Sequence, residues 1–377
     1  MQLSSLPSYI FSPSADDISI AAEGDVVVST TLTGNANKVV FDNTSTYSPG
    51  ADGCVHITEL SELVNAAVLS AFDPGTLLKA GVRDMSCTLK IAVKDGASAT
   101  THAAYMWRDH TDTGFMFATQ MRRRSVLPGQ PQPVSVLMLS RIGKYKPGAT
   151  GLRIVAGAAY RTVADGNVVW KEKTVEGFDG IDYYTILADV DSVNNEIVVA
   201  PEGATLLYYM LTLYDGEGKQ RDCIRFDVDR RTRSERATHF VYLNMFGVPE
   251  CVSFTGKDEE KQELESDFGY AGREYVRLDS QLVESHKCHS GWLSQEKRRA
   301  VYDLMSSPYA AVYEGGVLRR IAITEVESAV SRPAYEPQSV GLTWRYADDR
   351  EMRQPHVQPD TGSVHVFARP PFDKTFG

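Results

Sequence analysis

The run Leu206-Leu-Tyr-Tyr-Met-Leu-Thr-Leu-Tyr214, closed at once by Asp215-Gly-Glu-Gly218, leaves this chain little choice of local structure. A short apolar and aromatic run that stops at a Gly/Asp turn is a buried strand entering a hairpin, because a helix would need a longer 3.6-residue period. The same grammar recurs along the chain. Val26-Val-Val28 and Val39-Val-Phe41 are set off by Gly24-Asp25 and Gly34-Asn35, and Asp165-Gly-Asn167 supplies another hairpin turn. Further strands are expected over 87–94, 103–108, 115–120, 134–139, 152–160, 168–174, 196–199, 205–214, 311–314 and 318–325. The segment 341–346 alternates as a half-buried edge strand does.

Helical spacing is confined to two places. Leu60, Leu63, Val64, Ala67 and Val68 share one face of a short helix, and Ser294 caps a second over 294–305, where Val301, Leu304 and Met305 form the apolar face and Pro308 stops the run. The fold class expected is mainly β: tandem β-sandwich-like domains with a few short helices and an extended C-terminal arm. A chain of 377 residues exceeds what one hydrophobic core serves. The Pro-rich break at 127–133 divides it first, giving an N-terminal β-rich domain (1–133), a β-sandwich domain (134–235) and a β-rich domain with one helix (236–348). The arm, 349–377, is poor in apolar clusters and of the kind that orders against a neighbour.

With a net charge of −10, the chain is a poor match for a phosphate backbone, so no nucleic-acid partner is expected. Two basic runs, Arg122-Arg123-Arg124 and the stretch from Arg225 to Arg236, read as a solvated face or a subunit contact. The cysteines, Cys54, Cys87, Cys223, Cys251 and Cys288, are odd in number and scattered, which suits a reducing compartment rather than a disulfide framework. The N-terminal stretch lacks a basic region followed by an apolar core, and no segment approaches a membrane span, so the expectation is synthesis in a cytoplasm without Sec export and no membrane contact.

The search for chemistry finds no phosphate loop, dinucleotide fingerprint, nucleophile elbow or zincin helix. His286, Cys288 and His289 carry metal-binding side chains, but at the wrong spacing for a finger, and they read as a loop. Asp189, Asp191, Asn195 and Glu196 resemble a calcium loop without its central glycine or its last carboxylate, and read as a solvated turn. Asp258, Glu259, Glu260, Glu263 and Glu265 contain the carboxylates a glycosidase needs, in a polar stretch that reads as a solvated loop or helix. No catalytic residue, cofactor or metal is therefore assigned.

The most distinctive text is Tyr242-Leu-Asn-Met-Phe-Gly247, followed by Glu250 and Phe254-Thr-Gly256. Locally, Asn244 should turn the backbone, Gly247 should take a positive φ, and Glu250 and Glu325 are placed to pair across strands with Arg320 or Arg345. Together with Leu293-Ser294, Ser306-Ser-Pro308, Ile321-Ala-Ile-Thr-Glu325 and Leu342-Thr-Trp-Arg-Tyr346, this block resembles structural proteins of phages and prophages of Bacteroidetes-type bacteria. The likeness covers mainly 236–350, with echoes at Tyr47-Ser-Pro49 and from Phe115 to Arg124, and departs at Met245, where the family pattern has Arg. The resemblance implies a non-enzymatic virion protein located in the tail, a distal-tail-like or baseplate ring or adaptor. Its partners would be copies of itself and other tail or virion proteins, with Tyr242, Asn244, Phe246, Gly247, Glu250, Phe254 and Gly256 as the assembly motif. The alternatives are a carbohydrate-binding or adhesin module that contacts a host-surface glycan, and a hydrolase using the 258–265 carboxylates.

Overall fold

The computed structural model describes residues 2–3, 9–16, 18–34, 38–83, 85–94, 96–105, 117–137, 152–175, 183–232, 236–271, 274–328 and 339–347. The C-terminal arm, and the parts of expected strands at 106–108, 115–116 and 138–139, lie outside them. The described chain is mainly β and sandwich-like, built from five sheets with only short helices.

One five-stranded sheet runs Tyr9–Phe11, Ser98–Ala104, Ser86–Val93, Val26–Thr33, Val39–Tyr47, antiparallel except for its first pair. Val26–Thr33 alternates buried and half-buried along its whole length, as a strand with one covered face must. The helix Leu60–Ser70 packs on the neighbouring strands Ser86–Val93 and Ser98–Ala104, and its Leu60, Val64, Ala67 and Val68 join Val26, Val28 and Leu32 in one buried cluster. Its first residue is preceded by Glu59 at φ 66° with no cap of its own; Asp16 acts instead, its Oδ1 accepting the Ser61 amide at 2.9 Å. A small sheet of Gln2–Leu3, Ser19–Ala21 and Cys54–His56 adjoins it in sequence.

The second five-stranded sheet runs Arg123–Val126, Gln220–Val228, Thr205–Tyr214, Arg153–Arg161, Val168–Val175. Both expected hairpins are present. Asp215 closes one by accepting the amides of Glu217 and Lys219 at 3.0 and 2.8 Å, and Gly166 closes the other at φ 71°. The stretch expected as a strand at 196–199 instead carries the end of a π-helical turn, Val193–Ile197.

Strand pairing crosses the Pro-rich break at 127–133. Arg123–Val126 lies parallel to Gln220–Val228, and Pro133–Leu137 pairs with Tyr183–Leu187, which pairs in turn with Gly81–Arg83. One hydrophobic cluster accordingly runs from Ile10 to Phe226 and takes in Met245, Phe246 and Val248. Arg83 pins the small three-stranded sheet: its guanidinium donates to Thr185 Oγ1 at 2.7 Å and to the Lys79 carbonyl at 2.8 Å, and burial lowers its pKa to about 10.

The third unit is an antiparallel seven-stranded sheet, Pro249–Phe254, Thr238–Leu243, Ala310–Glu314, Val317–Ser328, Val340–Tyr346, Glu274–His289, Asp258–Ala271. The helix Gln295–Met305 covers one face, and Ser294 caps it by accepting the Lys297 amide at 3.2 Å. Val340–Tyr346 is therefore an inner strand and not an edge, because the polar text from Asp258 to His289 forms two long strands beyond it, where a loop or helix was expected at 258–265 and a loop at 286–289. Only His286–His289 of that pair bond to Val340–Tyr346. From Ser285 outward the two strands, among the described residues, pair with each other alone.

Candidate functional site: a buried junction

The Thr238–Leu243 and Pro249–Phe254 strands are buried on both faces, and the polar side chains they carry, His239, Glu250 and Ser253, are buried with them. Phe240, Tyr242, Val252 and Phe254 enter the cluster under the Gln295–Met305 helix, while Val241, Leu243 and Cys251 enter a smaller cluster with Leu77. The connecting turn sends Met245, Phe246 and Val248 into the large cluster of the first two blocks. Three hydrophobic clusters thus meet at one hairpin.

The turn forms as its residues dictate. Asn244 Oδ1 accepts the Phe246 amide at 3.0 Å, the Gly247 amide reaches the Asn244 carbonyl at 2.8 Å, and Gly247 sits at φ 75°. A Cβ on Gly247 would stand 2.6 Å from Tyr105 Cδ1, and one on Gly256 would stand 2.6 Å from the His289 carbonyl oxygen, so both positions exclude a side chain.

Glu250 is the polar centre. Its Oε1 accepts from Arg124 Nη2 at 2.8 Å and from the Thr119 hydroxyl, and its Oε2 accepts from Asn244 Nδ2 at 3.0 Å. The same Thr119 oxygen accepts from Arg124 Nη2 at 2.7 Å and from the Met121 amide at 3.1 Å, and Asn244 Nδ2 also donates to the Ala118 carbonyl at 2.7 Å. Side-chain exposure is 4% for Arg124 and 3% for Glu250, so the pair is shielded from water. Glu250 therefore bonds to Arg124 rather than to Arg320 or Arg345. Tyr242 is also fully buried; its hydroxyl finds no hydrogen-bond partner among the described residues, and burial holds its pKa well above the ordinary value.

Of the seven residues of the sequence motif, Tyr242, Asn244, Phe246, Gly247, Glu250 and Phe254 are buried and Gly256 is half-buried. They come together, but as an internal junction, joined to Thr119 and Arg124 from a distant part of the chain. The sequence marked the turn by its Asn and Gly. It carried no signal for Arg124, which appeared only as one member of a basic run.

The basic runs are in part paired within the chain: Arg122 pairs with Asp222 at 2.9 Å, Arg123 with Asp227 at 2.6 Å, and Arg225 with the same Asp227 at 2.9 Å while lying over the Tyr208 ring, and Arg123, Arg230 and Arg231 are exposed to solvent as expected. Asp189 spends its carboxylate capping a turn, accepting the amides of Asp191 and Ser192 at 3.1 and 2.9 Å. His286 stacks on Trp344 at 4.2 Å, whereas Cys288 lies in the core with its thiol pushed up to about 12. Both sit on one face of their strand, and His289, one residue on, takes the other. Among the described residues no group of three His, Cys, Asp or Glu side chains is placed to hold a metal ion. Asp258, Glu259 and Glu260 lie exposed on the outermost strand, with Glu259 paired to Lys257. Among the described residues, no helix is long and apolar enough to cross a membrane.

Comparison with known family models finds no match to this chain, and no curated protein matches it significantly.

Proposed function

We propose that the chain is a structural component of a phage tail or baseplate, working as a self-associating ring or adaptor subunit. The observation that supports this reading is the pair of strands Asp258–Ala271 and Glu274–His289, which extends from Ser285 to its tip as a two-stranded ribbon with no third strand among the described residues. At about 3.3 Å per residue the free part is roughly 35 Å long. Among the described elements it makes no substantial contact except with Val340–Tyr346 at its base. A two-stranded ribbon is marginal in water by itself, so a ribbon of this length is suited to lie on a neighbour.

The sheet edges agree with that use. Val39–Tyr47 and Val168–Val175 are edge strands, the second exposed over nearly its full length, and closed cyclic assemblies commonly cover such edges. The internal junction at Glu250 gives the ribbon a rigid base, since it locks its sheet to the rest of the chain. The Glu250 carboxylate at the junction is taken up by Arg124, Thr119 and Asn244, and the 258–260 carboxylates lie exposed on the outermost strand, so neither supports the hydrolase alternative. Negative-stain microscopy of the purified protein tests the reading: closed rings of one symmetry are expected, and a field of single particles at micromolar concentration counts against it.

A further inference from the structure

A cavity of about 300 Å³ opens where the Arg123–Val126 strand, the Pro249–Phe254 strand and the start of the Gln295–Met305 helix converge. Its lining includes Arg124, Asp229, Thr255, Trp292, Ser294 and Lys297. Two of these residues sit in environments that their own chemistry does not explain.

Lys297 occupies the third position of the helix, where the amide dipoles favour an anion and oppose a cation. The first-turn carboxylate, Glu296, is directed elsewhere and accepts the amides of Arg122 and Arg123 at 3.0 and 3.1 Å. Lys297 itself has no carboxylate partner among the described residues, and burial holds its ammonium below the usual lysine range. Arg124, across the cavity, has its charge matched by Glu250. What remains is a half-buried cation at an open space, with no ion pair of its own among the described residues.

Trp292 is the second. Its residue is 82% exposed at the cavity, whereas an indole contributes most to folding when covered. The rest of the wall is rich in hydroxyls and also offers the Asp229 carboxylate, which accepts from the Arg231 amide at 2.8 Å and the Thr232 hydroxyl at 3.1 Å.

We propose that this cavity binds an acidic saccharide, a sugar carrying a carboxylate, with the carboxylate against Lys297 and the apolar face of the ring against Trp292. Each part of the wall then has a complement. Sugar C–H groups fit an aromatic face, and sugar hydroxyls donate to Asp229 and exchange hydrogen bonds with Thr255 and Ser294. A volume near the lower end of small-molecule sites suits one or two rings. An acidic peptide satisfies Lys297 equally well but brings its negative charges toward Asp229 and offers it fewer donors, so the observations favour the sugar.

The test is a titration of the full chain with glucuronate and with N-acetylneuraminate, followed by saturation-transfer NMR and by tryptophan fluorescence. Glucose, acetate and a glutamate-rich peptide serve as comparisons. Both acidic sugars are expected to show transfer and to change the fluorescence, and Lys297→Met and Trp292→Ala should each weaken them by about tenfold or more, the loss of one charged or stacked contact. Lys297→Met should also leave the unfolding midpoint unchanged or raised, because it removes an unpaired cation. The proposal is overturned if acetate or the peptide binds as well as the acidic sugars. It is equally overturned if both variants bind like the parent, or if no acidic sugar binds at millimolar concentration. None of these readings depends on whether the chain forms rings.

Discussion

Arg124 and Glu250 form a buried ion pair, Nη2 to Oε1 at 2.8 Å, that ties the start of one sheet to the hairpin of another. Thr119 and Asn244 complete the coordination of the carboxylate, so its charge is both paired and hydrogen-bonded. Removing one member of such a pair strands the other in a medium that cannot solvate it. Glu250→Gln should therefore destabilise the fold by about 3–5 kcal/mol. Replacing both partners, Arg124→Met with Glu250→Leu, should recover much of that loss. Chemical denaturation of the single and double variants measures both, and additive losses would show that the two residues do not act as a pair.

Tyr242 provides a contrast within the same hairpin. Its hydroxyl is buried without a hydrogen-bond partner among the described residues. Tyr242→Phe should be neutral or stabilise the protein by up to about 1 kcal/mol, since it removes a desolvated polar group and keeps the packing. A loss of more than that in thermal unfolding would reveal a bond to the hydroxyl.

Gly247 is where backbone and packing demand the same residue. Its φ of 75° and the 2.6 Å approach of Tyr105 make Gly247→Ala costly on two counts, about 2–4 kcal/mol in total. Gly166, also at positive φ but with open space around its α-carbon, should lose only the backbone part. Equal losses at the two positions, read by denaturant titration, would contradict the packing account.

Much of this was legible in advance, and the exceptions have physical causes. The strand begun by Val26-Val-Val28, the hairpins at Asp165 and Asp215, the Ser294 cap and the Gly247 turn are set by residues close in sequence, where local sterics and hydrogen bonding decide the outcome. Asp16 capping the helix at Ser61, and Arg124 meeting Glu250, join residues far apart along the chain, and no local pattern encodes them. The ribbon was missed for a different reason. Its charged, polar text lacks the alternation of a half-buried strand because, beyond its base, no other element of the described fold covers it. Missing it also made Val340–Tyr346 look like an edge.

His239 gives the junction a pH dependence. It is 6% exposed, its Nδ1 lies 2.7 Å from Ser253 Oγ, and burial lowers its pKa from 6.5 to about 4. Between those values the unfolded chain binds a proton that the folded chain does not, so stability is full above pH 6.5 and falls as the pH drops toward 4, by a total on the order of 3 kcal/mol. His239→Gln should flatten that part of the stability–pH curve measured by urea unfolding. An unchanged slope would show that the imidazole is protonated in the fold.

The central claim is that the ribbon from Asp258 to His289 holds copies of this chain together. Its most direct test is the solution mass, by light scattering, of the parent and of a variant in which residues 263–282 are replaced by Asn-Gly. The shortened protein keeps the pairing of His286–His289 with Val340–Tyr346, and so should unfold at the parent's midpoint. The account predicts a closed oligomer for the parent and a monomer for the variant; a parent that is itself monomeric, or a shortened chain that assembles as the parent does, would contradict it.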